Sequence, residues 1–129
     1  MLKRILIVFI VAVALNLLWE HLHSVFYLSY RGGLITERIL FRAALFDATI
    51  ILLFAYPFLR CGRLVQRRWM LYCALVMFAI LLEHWALLTG RWVYADSMPL
   101  IPVLKVGISP VIQLTMTGWF SLTSARAVH

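Results

Sequence analysis

The sequence predicts an all-α membrane protein of four transmembrane helices, with both termini in the cytoplasm and residues 1–129 folded as a single domain. Of the 129 residues, 64% are hydrophobic and only 13% are charged, which excludes an ordinary soluble domain of this length. A spanning helix needs roughly 20 apolar residues, so about four spans fill the chain. The formal net charge of +7 comes from basic residues in short clusters between apolar runs. Such clusters act as topology signals, and we therefore exclude a nucleic-acid partner.

The first two spans are bounded by turn and charge signals. The first covers about residues 5–27 and ends before Arg31-Gly32-Gly33, because a glycine pair breaks helices and basic side chains prefer lipid headgroups. The second covers about residues 39–59. The loop that follows, residues 60–68, contains four arginines and no acidic residue, so we assign it to the cytoplasm.

The third span covers about residues 69–88, and the fourth covers about residues 106–122 with an interruption at Pro110. The loop between them contains Trp92 and Tyr94, which fits either an ordinary aromatic belt at the membrane interface or a lid over the polar groups below it. With this topology seven Lys and Arg residues lie on the predicted inside and five on the outside. The charge balance therefore agrees with cytoplasmic termini.

Each predicted span carries a polar side chain at a similar depth. With a helical rise of 1.5 Å per residue, Glu20, Asp47, Glu83 and Gln113 all lie roughly 8–12 Å below the outer boundary. A charge at this depth costs several kcal/mol unless it is paired or neutralised, so the four side chains should face one another. The pattern predicts a buried site with the three acids as catalytic residues. The alternative is a structural role, since membrane helices also use polar groups to hold one another.

Further polar and aromatic residues surround this layer. Asn16, Glu20 and His23 stand at i, i+4 and i+7 and therefore share one face of the first helix. Arg42 lies about one turn outside Asp47, and we expect it to pair with a carboxylate. The predicted substrate-binding residues are Asn16, Trp19, Arg42, Trp85, Trp92, Tyr94 and Gln113.

Three kinds of chemistry fit the layer. The first is acid-base catalysis on a lipid-soluble substrate, since a carboxyl group in hydrocarbon keeps its proton at neutral pH while a second, ionised one can act as base. The second is a metal or haem site with His23 and His84 as ligands, because Glu20-x-x-His23 has the spacing found in di-iron bundles. The third is proton or ion movement. The inner half of the first helix is apolar, which is evidence against this role. The cofactor is left open between none and a metal ion.

Motifs from several spans occur together in this chain. They are Asn16-Leu17-Leu18-Trp19-Glu20, Glu83, Gly90-Arg91-Trp92-Val93-Tyr94, Met98-Pro99, Pro110 and Gln113. In this combination the chain resembles a group of small, uncharacterised bacterial four-helix membrane proteins with an intramembrane Asn-x-x-Trp-Glu motif. The resemblance covers most of the chain. It implies a multi-pass protein of the bacterial inner membrane and carries over no catalytic residue.

The acids set among membrane helices are also similar to those of carotenoid-modifying enzymes of the lycopene cyclase and carotenoid hydratase type, which protonate a polyene. The chain lacks the Pro-x-Glu-Glu type motif of the cyclases. This resemblance implies a lyase, isomerase or cyclase acting on an isoprenoid or another lipid. The alternatives are a metal-binding or redox membrane protein, and a structural small subunit of a membrane complex or homo-oligomer.

Overall fold

The computed structural model describes residues 1–128, and four α-helices make up most of them. The helices are α1 (Leu2–His23), α2 (Glu37–Arg60), α3 (Arg68–Leu88) and α4 (Ile108–Ala127). Within this part of the chain three helical stretches, Leu2–Phe26, Glu37–Arg60 and Gly62–Leu88, are long and apolar enough to cross a membrane. The mainly helical, apolar fold predicted from composition is confirmed. The fourth span stays a prediction.

The bundle is held together by α1 and α4. Helix α1 packs against both α2 and α4, and α3 packs mainly against α4. Small residues allow the helices to approach closely: Ala12 of α1 and Ala48 of α2 are fully buried, and Gly118 of α4 faces Leu75 of α3. Contact between α2 and α3 is sparser, so this seam is the most open of the bundle.

The outward surface of the bundle is apolar, and so is its core. The side chains of Ile10, Leu53 and Leu81 are each 63% exposed and come from three different helices. In water so much exposed hydrocarbon would be unfavourable. A lipid environment for these helices explains the surface without a protein partner.

The end of α1 differs from the predicted span, whereas the end of α3 agrees with it. Helix α1 ends at His23 and passes through a 3₁₀ turn (Ser24–Phe26) into extended backbone, whereas the first span was predicted to run to residue 27. Helix α3 ends at the predicted residue because Gly90 adopts a φ of +66°. This left-handed conformation lets the Arg91 N–H donate to Ala86 O at 2.8 Å.

The predicted interruption of the fourth helix at Pro110 is wrong. Helix α4 begins at Ile108, so Pro110 stands in its first turn, where the missing N–H has no acceptor within the helix. The helix also continues to Ala127, five residues beyond the predicted end. Arg126 therefore lies in its last turn, where a positive charge interacts favourably with the helix dipole.

A two-stranded antiparallel sheet, which the prediction of an all-α fold did not include, connects the loops at one end of the bundle. Strand β1 (Tyr27–Tyr30) follows α1 and strand β2 (Trp92–Tyr94) follows α3. Tyr27 pairs with Tyr94, and Tyr30 pairs with Trp92. We call this end of the molecule, residues 24–36 and 89–107, the sheet end. The aromatic loop thus contributes one strand of this sheet.

Candidate functional site

The polar residues predicted to share one depth meet in a hydrogen-bonded cluster towards the sheet end. At its centre is Gln113 of α4, which is 2% exposed. Its Nε2 donates to Glu20 Oε1 at 2.7 Å, to Asn16 Oδ1 at 3.0 Å and to Asp47 Oδ2 at 3.0 Å. Side chains from α1, α2 and α4 therefore converge on a single amide nitrogen.

The Glu20 and Asp47 carboxyl groups form a pair. Both lie within hydrogen-bonding distance of the same amide nitrogen, Gln113 Nε2. That amide has only two hydrogens for three oxygens, and two negative charges side by side in a water-poor site repel each other. A proton held by one of the two carboxyls would supply the missing donor and remove the repulsion, as in other carboxyl dyads.

His23 extends this cluster towards the start of α4. Its Nε2 lies 3.3 Å from Glu20 Oε2, and its Nδ1 lies 2.9 Å from Ser109 Oγ. The indole N–H of Trp19 also donates to Ser109 Oγ, at 3.1 Å, which leaves the serine hydrogen free to donate to Nδ1. A neutral His23 then carries its hydrogen on Nε2, directed at Glu20.

Glu83 of α3 forms a second network with the sheet. The residue is 4% exposed, and its Oε2 accepts a hydrogen bond from Trp92 Nε1 at 3.1 Å and another from the Tyr94 hydroxyl. The Tyr94 oxygen accepts in turn from the Gly107 N–H at 3.0 Å. Burial, and next the neighbouring Glu83, raises the pKa of Tyr94, so the phenol keeps its hydrogen and remains a donor to the carboxylate.

A cavity of about 580 Å³ lies between the two networks, and its volume is in the range of small-molecule sites. Its polar lining includes Glu20, His23, Asp47, Glu83 and Gln113. Apolar side chains cover most of the remaining wall, among them Ile35, Ile39, Leu40, Ala43, Phe46, Ala79, Leu82 and Leu114. All three predicted catalytic acids thus face one ligand-sized space.

The predicted substrate-binding residues divide into two groups. Arg42, Trp85, Trp92 and Gln113 line the cavity. The others, Asn16, Trp19 and Tyr94, do not line it. Asn16 and Tyr94 are hydrogen-bonded to Gln113 and Glu83, which do, whereas Trp19 is hydrogen-bonded to Ser109. Their contribution is therefore to position other groups.

The predicted pairing of Arg42 with a carboxylate is wrong. Within residues 1–128 the ion-pair contacts join His21 to Glu37 and His23 to Glu20. Asp47, which lies on the same helix, is bound by Gln113 instead. The exposed Arg42 side chain has no such partner in the described chain.

Ser109 is a site residue that the sequence analysis missed. The hydrogen bonds join Ser109 to His23 and His23 to Glu20, which is the sequence of groups in a catalytic triad. However, Ser109 is not part of the cavity wall, so its hydroxyl orients the imidazole and does not reach a ligand there. The signal in the sequence is weak, because a serine directly before Pro110 is also typical of an ordinary helix start.

The predicted metal ligands, His23 and His84, are not brought together at the cavity. His23 lies against Glu20 and Ser109, whereas the half-buried His84 does not line this space. Among the residues that the structure describes, no group of three His, Cys, Asp or Glu side chains is arranged to hold a metal ion.

Comparisons with protein-family models, with curated proteins and with solved structures find no match for this chain. The function therefore has to be inferred from the geometry of the site. The resemblances noted in the sequence stay predictions.

We expect Tyr94 to remain protonated at a pH where free tyrosine ionises. Folding raises the pKa of Tyr94, and burial raises that of Tyr27 well above its usual 10. The stability that Tyr94 contributes is therefore complete below about pH 10 and is lost as the pH rises towards the folded value. Tyrosinate absorbance between about pH 8 and about pH 11 should rise less in the folded protein than in the denatured chain. Tyr94→Phe should leave the folded signal unchanged, and a loss of one tyrosine's absorbance would contradict this assignment.

Proposed function

We propose that the protein is an intramembrane enzyme that performs acid-base chemistry, of the lyase, isomerase or cyclase type, on an isoprenoid or another lipid. One observation supports this above all: Glu20, Asp47 and Glu83 line a single cavity whose other walls are largely apolar. Interhelical contacts alone require no such space between the acids. A polar site next to ligand-sized volume is a common arrangement in enzymes.

The two networks supply different roles. The Glu20 and Asp47 pair shares one proton and is the acid that delivers it to a double bond or an oxygen of the substrate. Glu83, which accepts two hydrogen bonds through Oε2, is the carboxylate that takes up a proton or stabilises a developing cation. His23 lies next to Glu20 and can return a proton to the pair.

The substrate enters from lipid through the open seam between α2 and α3. Phe46 of α2 and Trp85 of α3 both line the cavity and are 47% and 48% exposed on the outward surface. The cavity thus reaches the face of the bundle that contacts hydrocarbon. This access route favours a lipid-soluble substrate over a water-soluble one.

We also propose that the chain crosses the bacterial inner membrane four times, with both termini in the cytoplasm. Helix α4 has 20 residues, roughly 30 Å at the usual rise, and packs on α1 and α3. The starts of α1 and α3 and the ends of α2 and α4 share one end of the bundle, where seven basic residues lie. Their positions favour placing this end in the cytoplasm.

Lipid extracts of bacterial cells with and without the protein test the proposed function. We expect mass spectrometry to show at least one lipid whose level changes when the wild-type protein is made. Asp47→Asn should reduce that change by about 100-fold or more, the usual contribution of acid-base catalysis. Asp96→Asn is the matched control, because Asp96 is exposed and does not line the cavity.

The amount of each variant in the membrane must be equal before the extracts are compared. Identical extracts from cells with and without the wild-type protein contradict the enzyme proposal. So does an Asp47→Asn variant that changes the lipids as the wild type does.

A further inference from the structure

Two arginine side chains line the same cavity as the acids. Arg42 comes from α2, and Arg91 immediately precedes β2. Neither forms an ion pair with an acidic side chain of residues 1–128, since both ion pairs found there have histidine as the base. Two positive charges without a carboxylate partner therefore face one ligand-sized space.

The Arg91 guanidinium already packs against two aromatic rings. It lies 5.6 Å from the ring centroid of Tyr30 and 5.4 Å from that of Trp85. Stacking on aromatic rings uses the face of the guanidinium and leaves its N–H edge available for oxygen ligands. Because the side chain is pre-ordered, little conformational entropy is lost when an anion binds.

Polarity changes along the cavity from the sheet end inward. Arg42 and Arg91 share the outer part with Ser24, Ser29 and Tyr30. Further in, the walls from α2 and α3 are apolar apart from Asp47 and Glu83. A ligand that matches both parts has an anionic group at one end and a hydrocarbon chain at the other.

We infer that the cavity binds an anionic lipid, with its phosphate or carboxylate headgroup held by Arg42 and Arg91 and its chain along the seam between α2 and α3. The guanidinium group suits this headgroup, since its planar N–H fork matches two oxygens of a phosphate or carboxylate. The inference specifies the substrate class of the proposed enzyme, and in that respect it rests on the proposed function.

The position of the headgroup also limits where the reaction takes place. Arg42 precedes Asp47 by five residues on α2, roughly 7 Å along the helix axis. A headgroup at Arg42 therefore places only the first few carbons of the chain beside the Glu20 and Asp47 pair. The reacting bond lies close to the charged end, unlike the reacting bond of a neutral polyene.

Binding of farnesyl phosphate and farnesol to the full chain in mild detergent tests this inference. The two probes have the same hydrocarbon chain and differ in charge. We expect native mass spectrometry to give at least about tenfold tighter binding of the phosphate, a modest value for charged hydrogen bonds. The double variant Arg42→Gln/Arg91→Gln should bind both probes about equally. Arg38→Gln, one turn earlier on α2, exposed and outside the cavity wall, should keep the tenfold preference.

A single variant, Arg42→Gln, tests the headgroup site without changing the fold. Arg42 is exposed, so Arg42→Gln leaves the packing intact and should by itself reduce the preference for farnesyl phosphate. Equal binding of the two probes by the wild type overturns the inference. An unchanged preference in the double variant does so as well. Displacement of farnesyl phosphate by an equal concentration of inorganic phosphate would identify a site for free anions and would also overturn it.

The result of this binding experiment can be distinguished from the result of the lipid-extract experiment that tests the proposed function. Wild-type protein that prefers farnesyl phosphate but leaves cellular lipids unchanged supports the binding site and contradicts the enzyme. Lipid conversion by a protein without any charge preference supports the enzyme and contradicts the headgroup site.

Discussion

Replacing Gln113 with leucine is expected to lower the free energy of unfolding by about 3 kcal/mol. The substitution removes the amide nitrogen that donates to Glu20, Asp47 and Asn16. Buried oxygens left without a donor cost about 1–3 kcal/mol each, and more when they are charged. Thermal or denaturant unfolding in detergent micelles, followed by circular dichroism, measures the difference.

Two further variants make this result specific. Gln66→Leu replaces an exposed glutamine in the loop between α2 and α3 and should leave the stability nearly unchanged. The triple variant Glu20→Leu/Asp47→Leu/Gln113→Leu should recover much of the lost stability, because apolar side chains then replace the amide and both carboxyl groups that it holds. If Gln113→Leu is as stable as the wild type, the carboxyl pair does not depend on the amide, and the central role given to Gln113 is wrong.

Replacing Gly118 with leucine should prevent α3 and α4 from packing as they do. A Cβ at position 118 would stand 2.6 Å from Leu75 Cδ1 and 3.9 Å from two carbons of Ile51, and both of these side chains are fully buried. Forcing extra carbons into a packed core costs about 1–3 kcal/mol or more. We expect a lower unfolding temperature and less monodisperse protein on size-exclusion chromatography. Gly118→Ala should have a smaller effect, because the atom that it meets is the rotatable end of a leucine.

Gly62 provides the matched control for this substitution. Nothing lies within 4 Å of a Cβ added there, so Gly62→Leu should be tolerated. The exchange Gly118→Leu/Leu75→Ala returns volume to the interface and should recover part of the stability. A Gly118→Leu protein as stable as the wild type would contradict the close packing of α3 on α4.

The helices and the acidic residues of the site could both be predicted from the pattern of apolar and polar residues in the sequence. Glu20, Asp47 and Gln113 interrupt long apolar runs, and the cost of desolvating them forces them to meet wherever the helices pack. The rise of an α-helix then fixes their depth without any knowledge of side-chain contacts. The convergence of these three residues on one another follows from this argument.

Other features could not be predicted because they depend on how each helix is rotated about its axis. Whether Asp47 meets Arg42 or Gln113 is decided by the direction in which each side chain points, and hydropathy does not specify it. Strand β1 was missed for another reason. Tyr27–Tyr30 belongs to a short, mostly apolar run close to the end of α1, and short apolar runs do not distinguish helix from strand. Only pairing with β2 defines it.

Helix α4 buries a polar stripe of Gln113, Thr117 and Ser121 and is not among the stretches apolar enough to cross a membrane by composition. During synthesis α1, α2 and α3 leave the ribosome before it. In the proposed topology of four spans, α4 therefore inserts against α1 and α3, on which it packs. The same step brings the Gln113 amide to the Glu20 and Asp47 carboxyl groups. Completion of the fold and assembly of the site coincide.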